Sequence, residues 1–347
     1  MLLRMIACIL TVFVSLVLPA GSASADGPDK VVVGSSPSLA AAGLFLAKEK
    51  GFFEEEGLDV TIEIFKQSTV QILPLLATNK IDVAACGYSS GLLNAFTEDT
   101  GIKMVACLGR HFPGRSHLAM LISKQLYPDK MDRDVLEGKV FALPTRGVIQ
   151  EIITERFLQQ YGLGLEDVEL VNLSYPNMNA ALAGGSIFGA MQLEPYASKA
   201  VEEGYAVEVI RAAELRPNFQ GGVLLYSRDL MEERPDVAGR FMVAYLRGVR
   251  YFNDFLDGAI KDDHGVFDII DKYTALGSYE AFQKIQFGGV NPDGFLDKTS
   301  IGEDIDWYHE RGYITQRPDP ADIVDDSFCE YAVSVLGKYP PHDHRER

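Results

Sequence analysis

The stretch Lys48-Glu49-Lys50-Gly51-Phe52-Phe53-Glu54-Glu55-Glu56-Gly57-Leu58-Asp59-Val60 constrains the fold more than any other part of the chain. It follows a small apolar segment of helical spacing and runs directly into an alternating strand at 60–64. Gly51 is predicted to end the helix, because only glycine takes the left-handed conformation there without strain. Phe52 and Phe53 can pack beneath the turn, the three glutamates stay in water, and Gly57 lets the backbone re-enter a sheet. Local chemistry alone therefore predicts a strand–helix–strand unit.

The alternation continues along the chain. Strands are predicted at 31–33, 60–64, 81–85 and 103–108, with helices at 39–50, 70–78 (interrupted by Pro74) and 89–98 between them. A connection rich in Gly, Pro, Arg and His covers 109–117. A second unit has strands at 118–122, 140–143, 168–173, 189–193 and 206–210 and helices at 147–161, 178–183 and 195–203. After the polar connection 214–222 comes one more strand from Val223, then mostly helix, with 235–257 the longest. Strands alternating with helices imply an α/β fold with mostly parallel sheets covered on both faces. Two connections bracketing the second unit predict two lobes joined by two crossings. Lobe 1 would be 27–115 plus 223–347, and lobe 2 would be 116–222.

Residues 1–25 read as a signal peptide. Arg4 supplies the positive start, 5–18 is apolar but too short to span a bilayer, and Ala23-Ser24-Ala25 fits the small-x-small cleavage rule. Export with cleavage after Ala25 is expected, and no lipid-attachment cysteine precedes that point. Cys8 is lost with the leader, which leaves Cys86, Cys107 and Cys329, an odd and widely spaced set that is no disulfide framework. Whether Cys86 and Cys107 pair stays open at this level. The remaining chain of about 320 residues is long enough for two domains. A net charge of −17 argues against nucleic acid or an anionic membrane as partner. No metal-ligand spacing is present, and no cofactor is expected.

Ligands of open α/β sheets bind beyond the carboxyl ends of the strands. In the first lobe that rule selects Ser35 and Ser36, then Gln67 and Ser68, then Tyr88, Ser89 and Ser90. In the second it selects Thr145, Arg146 and Gly147, then Tyr175 and Asn177, then Glu194 and Tyr196. Five of these six loops enter a helix with Ser, Thr or Asn near its start, and a helix N-terminus offers free N–H groups and a positive dipole end to an anion. The same residues also serve as ordinary N-caps worth about 1 kcal/mol each. Arg146 is the first candidate for a charged contact, with pairing to Glu151 as its structural alternative. His111 and Arg115 fall near the first crossing, where a hinge salt bridge is the common role.

Several motifs carry a family resemblance. The segment from Glu49 to Val60, Leu136-Glu137-Gly138-Lys139-Val140, Asn179-Ala180-Ala181-Leu182-Ala183-Gly184-Gly185, Glu194-Pro195-Tyr196 and Arg234-Pro235-Asp236-Val237-Ala238 resemble, in order and spacing, periplasmic solute-binding proteins of ABC importers. The subgroup is the one serving nitrate, aliphatic sulfonates, taurine and thiamine-precursor pyrimidines. The resemblance implies the type II two-lobe binding-protein fold, a monomeric periplasmic receptor without catalysis, and an inner-membrane permease as partner. It implies a sulfonate-, taurine- or nitrate-like anion as solute, with an aminopyrimidine as the alternative. A carboxylate at Glu194 would suit an aminopyrimidine and repel a sulfonate, unless it points into the hinge. The pyrimidine-binding relatives offer a tryptophan for stacking, whereas Trp307 here lies in the C-terminal helical part and is expected outside the cleft. A pyrimidine-synthase-like enzyme is disfavoured, since Cys86-Gly87-Tyr88 stands without that group's cysteine-rich run. A soluble sensor domain is the remaining alternative.

Overall fold

The computed structural model describes residues 27–65, 69–98, 100–274 and 276–340. The predicted leader and the candidates Gln67 and Ser68 lie outside the described residues. Among the described residues ten strands form two five-stranded sheets. They are β1 (Asp29–Ser35), β2 (Leu58–Ile64), β3 (Val83–Gly87), β4 (Lys103–His111), β5 (Leu118–Ser123), β6 (Val140–Leu143), β7 (Glu169–Asn172), β8 (Gly189–Leu193), β9 (Ala206–Arg211) and β10 (Phe219–Tyr226). The first sheet has the order β2-β1-β3-β10-β4 and the second β7-β6-β8-β5-β9. In each, four strands run one way and one runs against them: β10 in the first, β5 in the second. Those two are the strands reached directly from a crossing. The fold is thus α/β with two lobes, each a mixed sheet flanked by helices. β10 begins at Phe219, inside the stretch that reads as a polar connection in the sequence, because Gln220 and its neighbours pair with β4.

Local signals account for most elements. Gly51 takes φ +80° between helices Ala42–Glu49 and Phe52–Glu55, as the sequence predicts. Phe53 is fully buried and stacks on Phe241. In β5, Leu118, Met120 and Ile122 face the main core, while Ala119 and Leu121 face a smaller core with Met178 and Leu182. A strand buried on both faces loses its polar alternation, which explains the continuous apolar run. Cys86 and Cys107 both register against Val223, one on each side of β10. Two strand spacings, about 10 Å, separate them, too far for a disulfide, and no disulfide joins the described cysteines. Among the described residues no helix is long and apolar enough to cross a membrane.

The long helix Pro235–Leu256 packs across Ala42–Glu49 at two glycines. A Cβ on Gly248 would lie 2.2 Å from the Gly43 carbonyl oxygen and 2.7 Å from the Ala47 amide nitrogen. The helices approach this closely only because both positions lack side chains.

The first crossing, between β4 and β5, carries a ring stack. His111 lies between His117 and Phe219, with both centroids at 4.2 Å. The Ser116 hydroxyl donates to the Leu118 carbonyl (3.1 Å), so His111 Nδ1 is the donor to Ser116 Oγ (2.9 Å). Burial pushes both imidazoles down, His111 well below 6.5 and His117 to about 4, with the second histidine and Arg211 adding to the effect. Arg115, in the same connection, pairs with Asp257 at 2.6 Å.

Two outcomes are expected from this architecture. Gly248→Ala should cost about 1–3 kcal/mol in urea unfolding through overpacking. Gly184→Ala, where a Cβ meets nothing within 4 Å, should leave stability within a few tenths. Equal effects would refute the close-approach account. A depressed histidine pKa means the unfolded state binds more protons, so its stability contribution is complete above about 6.5 and lost as pH falls towards 4. Relative to His117→Gln, the native protein should lose roughly 2–3 kcal/mol across that window. Parallel pH profiles of the two proteins would rule this out.

Candidate functional site

The strand-end loops of the two sheets meet. Ser89 caps helix Ser90–Phe96 through its hydroxyl, which accepts from the Leu92 N–H (3.3 Å), and bridges to Val148 of the second lobe. Ser90 donates both its N–H (3.0 Å) and its hydroxyl (2.9 Å) to the Gly147 carbonyl. A Cβ on Gly147 would sit 2.4 Å from Ser90 Oγ, so the contact requires glycine there. Ser35 and Ser36, at the end of β1, are buried, and the Ser35 hydroxyl donates to the Ser36 carbonyl at 3.0 Å.

Beyond Gly147 the second-lobe helix Ile149–Gln159 begins. Its Glu151 side chain is fully buried and gathers four donor contacts. The Gly147 N–H donates to Oε2 at 2.7 Å. Oε1 receives Arg146 Nε at 2.7 Å and Nη2 at 2.6 Å, and the Tyr313 hydroxyl at 2.8 Å. Arg146 is therefore engaged within the protein, with its side chain still 45% exposed. One turn on, Glu155 accepts from Trp307 Nε1 at 2.6 Å and pairs with Arg311. Arg311 lies over the Trp307 ring at 4.7 Å, and Trp307 stacks on Tyr313 at 6.0 Å. Helix Lys298–Glu310 and the turn after it, which also touch β10 and helix Ser90–Phe96, thus grip the second-lobe helix through two buried carboxylates. Trp307, expected outside the cleft, thus touches the second-lobe helix from helix Lys298–Glu310.

Glu194 is also satisfied internally. It is buried; its Oε1 accepts from Arg211 Nη1 (2.8 Å) and the Ser198 hydroxyl (2.8 Å), and its Oε2 from the Ser198 N–H (2.9 Å). Its Oε2 thus takes up an N–H in the first turn of helix Tyr196–Glu202. Tyr88 is 2% exposed, and its hydroxyl donates to the Ile301 carbonyl at 3.3 Å beneath helix Lys298–Glu310. The remaining second-lobe candidates stay in contact with solvent. Tyr175 and Tyr196 are half-buried and stacked at 6.1 Å with 17° between their planes. The Tyr175 hydroxyl accepts from Gln150 at 2.8 Å. Thr145 and Asn177 are exposed.

A polar cluster absent from the sequence reading lies behind Tyr88. Arg216, on the second crossing, pairs with Asp304 and donates to the Ser300 carbonyl at 3.1 Å. Burial lifts the Asp304 carboxyl to about 7 even beside that guanidinium. Asp304 Oδ2 and Tyr308 Oη have no hydrogen-bond partner among the described residues. No local motif marks these groups, because they converge from positions more than eighty residues apart. A cavity of about 420 Å³ opens at the hinge between Arg115, Phe255, Phe282 and Gln286, and none of the described strand-end candidates lines it.

Residues 39–254 match the family model described as NMT1/THI5 like. The putative binding protein YtlA of Bacillus subtilis (strain 168) is 23% identical over 298 residues, 84% of this chain and 86% of that protein. The formylaminopyrimidine-binding protein of Halalkalibacterium halodurans is 23% identical over 290 residues, 81% of this chain and 84% of that protein. Among solved structures, the alkanesulfonate-binding protein SsuA of Xanthomonas axonopodis pv. citri bound to MOPS superposes with a TM-score of 0.66 at 19% identity, covering 87% of this chain and 100% of that one. With the model spanning well over half of its length, the chain belongs to the NMT1/THI5-like family.

Proposed function

We propose that this protein is the exported solute receptor of an ABC importer, a monomer that closes two lobes on a small molecule and presents it to an inner-membrane permease. The observation that carries the reading is the convergence of strand-end loops from two sheets joined by two crossings, with Ser90 on Gly147 and Tyr313 on Glu151. Two lobes that hinge over a site between them close by contacts of this kind. The lobes in this reading are 27–115 plus 223–347 and 116–222, and the mature chain starts after Ala25. The role is binding without turnover, with no cofactor and no nucleic acid.

Two solute classes compete. An alkanesulfonate-, taurine- or nitrate-like anion is the first, in keeping with the similarity to SsuA. A planar aminopyrimidine is the second, in keeping with the formylaminopyrimidine-binding relative. The pairing of Arg146 with Glu151 favours the second, because the cation best placed for an anion at the second-lobe helix start is already neutralised. The half-exposed Tyr175–Tyr196 stack supports the same choice, as aromatic faces add about 0.5–1.5 kcal/mol per ring pair to a planar partner. In this reading Thr145, Asn177, Tyr175 and Tyr196 face the solute from the second lobe, and Ser89 and Ser90 from the first.

A thermal-shift screen of the mature protein, refolded from denaturant to strip carried-over solute, tests this. An aminopyrimidine should stabilise by about 2.7 kcal/mol at a hundredfold excess over Kd. Tyr175→Ala and Tyr196→Ala should each weaken binding by about tenfold. A response to alkanesulfonates alone would restore the anion reading. No response to any solute would remove support for a receptor.

A further inference from the structure

We infer that Glu151 is a specificity-determining residue: its carboxylate is a built-in anion that fills the second-lobe helix start and excludes free anions from it. The inference rests on the receptor reading and deepens it. The groups around Glu151 are those that would otherwise hold a small oxyanion. A guanidinium approaches at 2.6–2.7 Å, a backbone N–H of the turn before the helix at 2.7 Å, and a phenol from the other lobe at 2.8 Å. Backbone N–H groups and a guanidinium beside a helix start form an anion site by ordinary electrostatics. Here the occupant is covalently attached four residues downstream, fully buried, and present at fixed stoichiometry. An incoming nitrate or sulfonate would have to displace it or meet its charge at close range.

The neighbouring charges reinforce the exclusion. The next carboxylate on the same helix face, Glu155, engages Arg311 and Trp307, so Arg311 is not free to admit a second anion. Arg211 is held by Glu194 and Glu208, and Arg216 by Asp304 and Glu303. Because Tyr313 reaches Glu151 from the other lobe, the built-in anion also provides part of the lobe contact that a bound anion would otherwise supply. Lobe closure on this side therefore does not require an anionic ligand, and the solute is selected by other groups.

Chemical rescue tests the assignment. Mature Glu151→Ala is titrated with formate, nitrate and methanesulfonate, with chloride at matched ionic strength as control, and melting is followed. Formate and nitrate should raise its Tm saturably, by roughly 3 °C at tenfold excess over Kd. The native protein should not respond, and Arg146→Ala combined with Glu151→Ala should lose the response. A native protein that takes nitrate through Arg146 would overturn the inference, as would a folded Glu151→Ala variant blind to all three anions. Should Glu151→Ala not fold, Glu151→Gln, which keeps the shape and drops the charge, is titrated instead, and its Arg146-dependent response to nitrate decides in the same way. The organic-solute screen on the native protein reads the receptor hypothesis separately: rescue without any solute response supports the built-in anion alone, and a solute response without rescue supports the receptor alone.

Discussion

An ionised carboxylate taken out of water is costly unless donors replace its hydration shell, and Glu151 is taken out completely. Its donors come from two places that are distant in sequence. Arg146 and Gly147 precede it by one helical turn, while Tyr313 arrives from the C-terminal segment of the other lobe. The position of helix Ile149–Gln159 is thereby tied to both lobes at once. The close approach of Ser90 to Gly147 follows from that placement, and so does the neutralisation of Arg146. Removing the carboxylate would leave a guanidinium, an N–H and a phenol turned towards one empty point.

The hinge obeys a similar rule in a different place. Each sheet takes its one antiparallel strand straight from a crossing, so neither lobe's sheet is complete without a segment that has just left the other lobe. Glu194 and Arg211 bind the second-lobe end of this junction, where Arg211 also reaches the Ser116 carbonyl at 3.3 Å. Strand exchange fixes the topology of the joint, and buried ion pairs fix its polarity. Glu194 and Ser198 also meet the segment beyond the second crossing, through the Gln286 N–H (3.4 Å) and the Lys284 carbonyl (3.1 Å).

Much of the fold was legible because its signals are local. Gly51, Phe53 and the apolar run 118–122 each encode their structure within a few residues, and the strands and helices of both lobes fall near their predicted places. The site was less legible because its partners are remote. Tyr88 reads as a loop aromatic until Ile301, 213 residues away, accepts its hydroxyl. Trp307 reads only as part of the C-terminal helical stretch, and nothing near it in sequence marks the bond its indole N–H donates to Glu155. Arg146 and Glu194 were ambiguous for a narrower reason: each had a ligand role and an internal role written in the same residues, and only the direction of the side chain separates them. Tyr313 carried no signal at all, since nothing in its neighbours distinguishes it from a tyrosine closing a helix.

Two buried ionisable groups flank the two crossings with opposite consequences for acid. His117, at the first, binds fewer protons folded than unfolded between about 4 and 6.5, so the native state weakens as pH falls through that range. Asp304, paired to Arg216 at the second, has its carboxyl raised from 3.8 to about 7. The folded state binds more protons there, and its contribution is fully present below about 3.8 and lost as pH rises through 7. Across the shared window the slopes oppose one another. A fold that carried only the histidine would lose stability in acid, and one that carried only the aspartate would lose it as pH rises. Carrying both flattens the response over the mildly acidic range.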